Sequence, residues 1–464
     1  MSKYLKSKTT GRIFFILLIL VGIISAIYPA QTADAGDANF DSGDIAWMLT
    51  ATALVMLMTP GLSFFYGGMV KSKNILSTML QSFVALGVVS IIWFAVGFSL
   101  CFGDSIGGII GNPLSFAFFN NVGIQAHPAI ATGLPFILFA AFQLKFAIIT
   151  PALITGSFAE RIRFWSYVIF MCLFTLVIYC PIAHWVWHPD GFLFKMGVLD
   201  FAGGAVIHLS AGVAALVGAI VLGRRETHLN NESQTPSNIP YILLGTGLLW
   251  FGWFGFNAGS SLGANEVAIL ALLNTNMASA AAMICWILLD VISNKKPNVV
   301  GACIGAVVGL ATVTPAAGYI DPGSSILFGI IGCICSYYVV HWKNKSTIDD
   351  TLDVFPCHGV GGIVGMILTG VFAKEIGLIH GETSLLITQF VAVLVIGVYS
   401  YAMTYLILKL TQQISPLRVS LEDEILGLDI SQHGETVMGE MEYVENRMSR
   451  ANSRPIKTPQ TVVE

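Results

Sequence analysis

Charge is what this sequence has least of. Asp, Glu, Lys and Arg make up only 11% of its 464 residues, against 55% hydrophobic residues, and the mean hydropathy is +0.76. A soluble domain of this size cannot cover itself with so few charges, so composition excludes the ordinary soluble classes. There is no CxxCH run for haem attachment, and no TVGYG-like stretch to build the carbonyl ring of a potassium filter. Eight cysteines (101, 172, 180, 285, 303, 333, 335, 357) fall within or at the ends of apolar stretches, which suits small membrane-packing residues better than a disulfide framework or a zinc site. The net charge of −4 implies no particular partner, and neither nucleic acid nor a cofactor is expected.

What the chain has in abundance is long apolar runs. Eleven of them, at 44–70, 74–102, 133–158, 163–187, 200–223, 239–261, 266–290, 298–318, 323–342, 351–373 and 383–409, approach or exceed the roughly 20 residues needed to cross a bilayer. Lipid offers backbone groups no partner, so each is read as a helix. Ahead of them, Lys3, Lys6, Lys8 and Arg12 precede a short apolar core and a small-residue TADA patch, the pattern of a cleavable signal peptide over residues 1–34. The alternative is an uncleaved twelfth helix, and either places the following residues outside.

Basic residues alternate between loops. Lys71/Lys73, Arg161/Arg163, Arg224/Arg225, Lys295/Lys296 and Lys343/Lys345 occupy every second loop, while the others carry only Lys195 and Lys374. The positive-inside bias therefore predicts a cell-membrane protein with its N-terminus outside and a tail, from about residue 411, in the cytoplasm.

Two histidines lie deep in these runs. His358, in DVFPCHGVGG, and His208, in DFAGGAVIHLSAG, align so that Gly212 matches Gly362, each four residues on. They fall on the fifth and tenth spans, which cross in opposite directions. That is the mark of an inverted repeat whose functional site sits near the midplane between the halves. A single intramembrane histidine is most simply a satisfied hydrogen bond in a bundle. Two at equivalent positions, each on a Gly-rich helix that permits close approach, argue for a shared site. A metal would want further ligands, and Asp200 and Asp353 lie near helix ends, so the preferred reading is two neutral imidazoles lining a narrow route, each ring able to donate and to accept. Sugars or amino acids would demand more polar groups in the spans. A small solute able to shed its charge fits better, because an unpaired cation is very costly in an apolar passage.

Other residues suit such a cation at the outer mouth. Trp187 ends the fourth span and offers a ring face for a cation. Phe142 and Phe146 share a helix face, as do Phe256 and Ser260.

With these motifs in hand, TPGLSFFYGGMVKSKN, FAERIRF, VLDFAGGAVIHLSAG, GWFGFNAGS, DVFPCHGVGG and the tail segment LRVSLEDEILGLDISQHGE together resemble the ammonium transporter (Amt) family over residues 44 to 440. The resemblance implies an all-α integral membrane protein, not an enzyme, with eleven transmembrane helices in an inverted five-helix repeat plus one extra, assembled as a homotrimer in the bilayer with one pore per subunit. It further implies NH4+ recruitment at Trp187, Ser260 and Phe146 with Phe142 at the edge, a phenyl gate of Phe146 and Phe256, and a pore of Trp253, His208 and His358. Asp200 resembles a buried aspartate required for transport, acting either as a helix cap or electrostatically. Asp353 is placed with it as a structural or electrostatic group. Ammonia would move past the twin histidines, with proton co-translocation as in electrogenic members. Lys145, Pro356 and Cys357 depart from the family pattern. The tail over 411–464 resembles a regulatory segment that packs on neighbouring subunits and to which a PII signal protein can dock, with a disordered end after about Met448. Alternatives are an electroneutral Rhesus-type ammonia channel, disfavoured by Trp187 with Ser260, and an ammonium receptor with little flux.

Overall fold

The computed structural model describes residues 7–27, 40–232 and 234–437. The fold is a helical bundle, and a helix occupies every apolar run read from the sequence. In chain order these are α1 (Ser7–Ile27), α2 (Ser42–Met69), α3 (Ser72–Phe102), α4 (Phe136–Phe158), α5 (Phe164–Lys195), α6 (Gly204–Leu222), α7 (Ile239–Gly259), α8 (Glu266–Ile292), α9 (Val299–Val313), α10 (Pro322–Lys343), α11 (Phe355–Phe372) and α12 (Ser384–Ile414). In α5 the apolar crossing closes at Trp187, where the backbone turns extended at His188.

Several helices start on a polar residue that accepts a free backbone N–H of the first turn. Asp41 caps α2, Asn238 α7, Asn265 α8 and Asn298 α9, each bonding the N–H three residues on. In so apolar a chain these caps mark where helices enter the membrane. α9 has only 15 residues, too few to cross lipid alone, but from Cys303 to Val313 it is buried continuously inside the bundle.

α1 is longer than its apolar core suggests, because the helix already begins at Ser7 in the basic segment, and its 21 residues suffice to cross a bilayer. It touches the bundle through Gly11 and through Phe14, which stacks on Trp165 at a centroid distance of 5.8 Å. The TADA patch lies outside the described residues, as does the chain end after Met448.

Helices of the two halves approach closely where glycine removes the side chain. A Cβ on Gly61 of α2 would lie 2.9 Å from Leu248 of α7, and one on Gly245 would lie 2.6 Å from the Gly61 carbonyl oxygen. At the centre, Gly212 of α6 abuts the backbone of Gly359, just ahead of the α-helical part of α11. Reciprocally, a Cβ on Gly362 would meet the Leu209 nitrogen at 2.8 Å. Both contacts are related by the same 150-residue shift that separates the histidines. Both segments also carry a π-helical turn there, Gly204–Leu209 and Phe355–Gly359. The inverted repeat is thus visible in the packing.

The basic loops assigned to one side do share one face. Arg225 forms ion pairs with Glu160 at 2.6 Å and Asp349 at 2.8 Å, and the Lys71 N–H donates to Glu160. The tail up to residue 437 folds onto this face of its own chain. Arg163 N–H donates to Leu417 O, Val419 N–H to Arg161 O, and Arg418 pairs with Glu424 at 2.6 Å.

Candidate functional site

The site is a vertical stack of aromatic and imidazole rings between the two halves. At its outer end a chamber of about 250 Å³ is walled by Phe102, Phe139, Gln143, Phe146, Trp187 and Ser260, among others, and among the described residues no charged side chain lines it. Trp187 is fixed by its indole N–H, which donates to the Asp200 carbonyl at 3.0 Å. Its ring meets Phe146 edge-on at 6.0 Å. Ser260 Oγ donates to Phe256 O at 2.9 Å, so its oxygen retains accepting capacity. Phe142 stands behind Phe146 at 4.9 Å, fully buried against Gly259, and forms no part of the chamber wall.

The Asp200 carboxylate points away from the chamber. Its two oxygens accept four backbone N–H groups, from Gly203 (2.9 Å), Gly204 (2.6 Å), Ala205 (2.8 Å) and Val206 (3.0 Å), at the start of α6. This is the geometry of a helix cap. Gly203, at φ +109°, supplies the left-handed turn that folds the chain back over the carboxylate. Through its backbone carbonyl, Asp200 also positions Trp187.

Beneath the chamber, Phe146 and Phe256 stack at 4.3 Å with planes 23° apart, closing the passage. Below them Trp253 lies nearly parallel to His208, 5.3 Å between centroids, and is held by its indole N–H donating to Thr314 Oγ1 at 2.9 Å. His208 and His358 follow, 16° from parallel, their Nδ1 atoms 3.3 Å apart, so that one ring donates to the other. His208 Nε2 is buried, without a hydrogen-bond partner among the described residues. The remaining walls are apolar (Met58, Leu62, Phe65, Ile149, Leu153, Leu249 and Val307), and the space between them is about 10 Å³, room for roughly one water-sized molecule. Among the described residues no three His, Cys, Asp or Glu side chains gather into a metal-binding set.

Asp353 sits apart from this stack. It has φ +58° and pairs with Lys343 at 2.6 Å. The counterpart of Asp200 is Asp350, a residue the sequence reading did not single out. It is almost wholly buried and accepts the Phe355 N–H at 2.7 Å, capping the segment that carries His358. The signal was available, since the 150-residue shift that pairs the histidines also pairs Asp200 with Asp350. Gln143 and Thr314 were likewise missed, and no local pattern marks either.

Comparison with known proteins agrees with this architecture. The family model described as Ammonium Transporter Family matches residues 46–438. The chain belongs to the ammonium transporter family. Among its relatives within the family, a putative ammonium transporter of Methanothermobacter thermautotrophicus is 47% identical over 408 residues, covering 85% of this chain and 98% of the relative. An ammonium transporter of Aquifex aeolicus is also 47% identical, over 89% and 97% of the two chains. The Candida albicans Mep2 crystal structure superposes with a TM-score of 0.80 at 33% identity, covering 93% of this chain and 95% of that one. A structure titled Sensor Amt Protein gives 0.78 at 30% identity over 84% and 98%. As a member of the ammonium transporter family, the chain is an all-α, multi-pass membrane protein.

Proposed function

We propose that this protein carries ammonium across a cell membrane, with the N-terminal end of α2 outside and the tail in the cytoplasm. NH4+ is held in the outer chamber against the faces of Trp187 and Phe146, with Ser260 Oγ as acceptor. It gives up one proton there, and NH3 passes between Phe146 and Phe256 when the rings swing apart. NH3 then moves along Trp253, His208 and His358 and takes up a proton on the inner side. The proton crosses by the imidazole pair, whose Nδ1 atoms are within hydrogen-bond reach.

The observation that carries this reading is the contrast between chamber and passage. A charged ion can be met by aromatic faces outside, but below the gate it would face apolar walls and two imidazoles in a space of about 10 Å³. Only a small neutral molecule crosses such a space at acceptable cost. We place three such subunits in a homotrimer, treat residues 1–34 as a cleaved signal peptide, and assign the inner face and tail as the docking surface for a PII-type signal protein.

The likeness to a sensor Amt protein supports a second reading, a receptor that binds ammonium with little flux. Charge displacement in proteoliposomes after an ammonium jump distinguishes them. A current that His208→Leu and Asp200→Ala abolish supports electrogenic transport. Ammonia flux without current favours the electroneutral channel, and binding without either favours the receptor.

A further inference from the structure

We infer that Gln389 of α12 is a positioning residue for ammonium recruitment, holding the backbone that orients Trp187 in the wall of the outer chamber. This rests on the part given to Trp187 in the function proposed above.

Three observations carry it. First, Gln389 is wholly buried, and its carboxamide closes on a single residue of another segment. Its Oε1 accepts the Leu199 N–H at 3.1 Å and its Nε2 donates to the Leu199 carbonyl at 2.7 Å, with a longer contact to Met366 O of α11 at 3.4 Å. A carboxamide has both a donor and an acceptor, so it can fix one residue from both sides. Leu199 precedes Asp200, whose carbonyl accepts the Trp187 indole N–H. Downstream, the Phe201 N–H donates to Pro315 O at 3.0 Å, whereas upstream residues 194–197 are exposed. Pro315 and Gln389 thus anchor the Asp200 backbone from its two sides, and Gln389 separates it from an exposed loop.

Second, α12 also supports the helix that carries Trp187. The Tyr399 hydroxyl donates to Val177 O of α5 at 2.6 Å, and its ring meets Trp185 edge-on at 4.6 Å.

Third, the same backbone position is clamped in the other half. The 150-residue shift carries Leu199 to Asp349 and Asp200 to Asp350, and Arg161 donates to the Asp349 carbonyl at 2.5 Å. The residue ahead of each capping aspartate is therefore held, but by different means. The same shift leads from Gln389 back to Ile239, at the start of α7, so the clamp on Leu199 has no equivalent within the repeat. α12, the helix beyond the two halves, supplies it as a neutral carboxamide. A guanidinium there would set a fixed positive charge beside a chamber that receives a cation.

The test measures ammonium-evoked current from the full-length protein in proteoliposomes, with ammonium chloride as the probe. Gln389→Leu removes both bonds to Leu199 at similar volume. It should raise the ammonium concentration for half-maximal current at least about fivefold and leave the maximal current within about twofold of wild type. Gln389→Met, more adaptable in shape, takes its place if the leucine variant fails to fold. Gln389→Glu, compared with wild type at about pH 5.5, where burial favours the protonated carboxyl, repeats both bonds and should stay within about twofold in half-saturation. An unchanged half-saturation in the leucine or methionine variant would overturn the inference, as would a fall in maximal current alone. If the wild type binds ammonium without current, transport is refuted, and calorimetric dissociation constants of the same variants decide the inference by the same fivefold criterion.

Discussion

His208 and His358 meet through their Nδ1 atoms at 3.3 Å, although 150 residues separate them in the chain. Each sits on a π-helical turn of its own half, and each half closes on the other through a glycine one turn further along. The imidazole pair is thus the place where the two repeats touch.

Replacing either ring tests this pairing. In His208→Leu the Nδ1 of His358 loses its partner inside an apolar bundle, a cost of about 1–3 kcal/mol. The variant should still fold, because Trp253 keeps its own anchor on Thr314. Ammonium-evoked current should fall more than tenfold, or change its selectivity, while the melting temperature in detergent drops only a few degrees. A variant with normal current would remove the histidines from the mechanism.

Gly212→Ala and Gly362→Ala attack the contact between the halves. Their new methyl groups would overlap the backbone at Gly359 and Leu209. Each should destabilise the protein by about 1–3 kcal/mol through overpacking. Gly247→Ala, on an exposed stretch of α7 with nothing within 4 Å, should be neutral or slightly stabilising. Thermal melts of the three variants side by side decide whether the site or merely the loss of a glycine is responsible.

Asp200→Asn retains the shape of the side chain but turns an NH2 group toward backbone N–H donors. We expect a loss on the order of 3 kcal/mol in stability and a disproportionate loss of ammonium affinity, because the displaced carbonyl of residue 200 no longer orients Trp187. Asp350→Asn should destabilise similarly without affecting ammonium binding at the outer chamber. Equal effects of both on binding would contradict the positioning role assigned to Asp200.

The inner face should be acid-sensitive. Burial pushes the Glu160 carboxyl up, but the Arg225 guanidinium and the Lys71 N–H outweigh it and hold its pKa below the usual range. For Asp349 burial again opposes, and the hydrogen bonds from Arg225 with the nearby Arg161 charge hold it lower still. A carboxylate with a depressed folded pKa contributes stability that is present above its unfolded pKa, about 4, and is lost as pH falls through the folded value. The melting temperature should therefore be level from pH 8 to about 5 and decline below about 4. Arg225→Met leaves two buried carboxylates unpaired, costing about 3–5 kcal/mol at pH 7, and its deficit should shrink as the pH is lowered. A deficit that does not vary with pH would assign Arg225 a packing role only.

The tail is held to the bundle by a cap in trans. Asp429 accepts the N–H groups of Leu76 and Ser77 at the start of the helical part of α3, at 3.1 and 2.7 Å. Asp429→Ala should cost only about 1 kcal/mol, with the melting temperature little changed, yet speed protease cleavage between residues 415 and 437 severalfold. Unchanged cleavage would mean that Arg418 and Glu424 suffice to hold the segment.

Much of this protein was legible in the chain because a bilayer imposes one-dimensional rules. Apolar runs must be helices, basic loops must alternate, and two histidines five spans apart must lie on oppositely directed helices. These constraints located the main helices, though not their ends (the last runs to Ile414 rather than 409, and α9 stops at Val313 rather than 318), and pointed to His208 and His358 without any structure. Helix spacing and position offered Trp187, Phe142, Phe146, Phe256 and Ser260 as candidates, and the family resemblance implied which of them form the gate and in what order they line the path. Tertiary packing alone placed Phe142 behind the wall, turned the Asp200 carboxylate onto four amides, paired Asp353 with Lys343, and brought out Asp350 as the counterpart of Asp200. Those outcomes depend on which backbone groups lack partners at a helix end and on how closely glycines let two helices approach. Such quantities arise only when residues distant in sequence come within hydrogen-bond or van der Waals range.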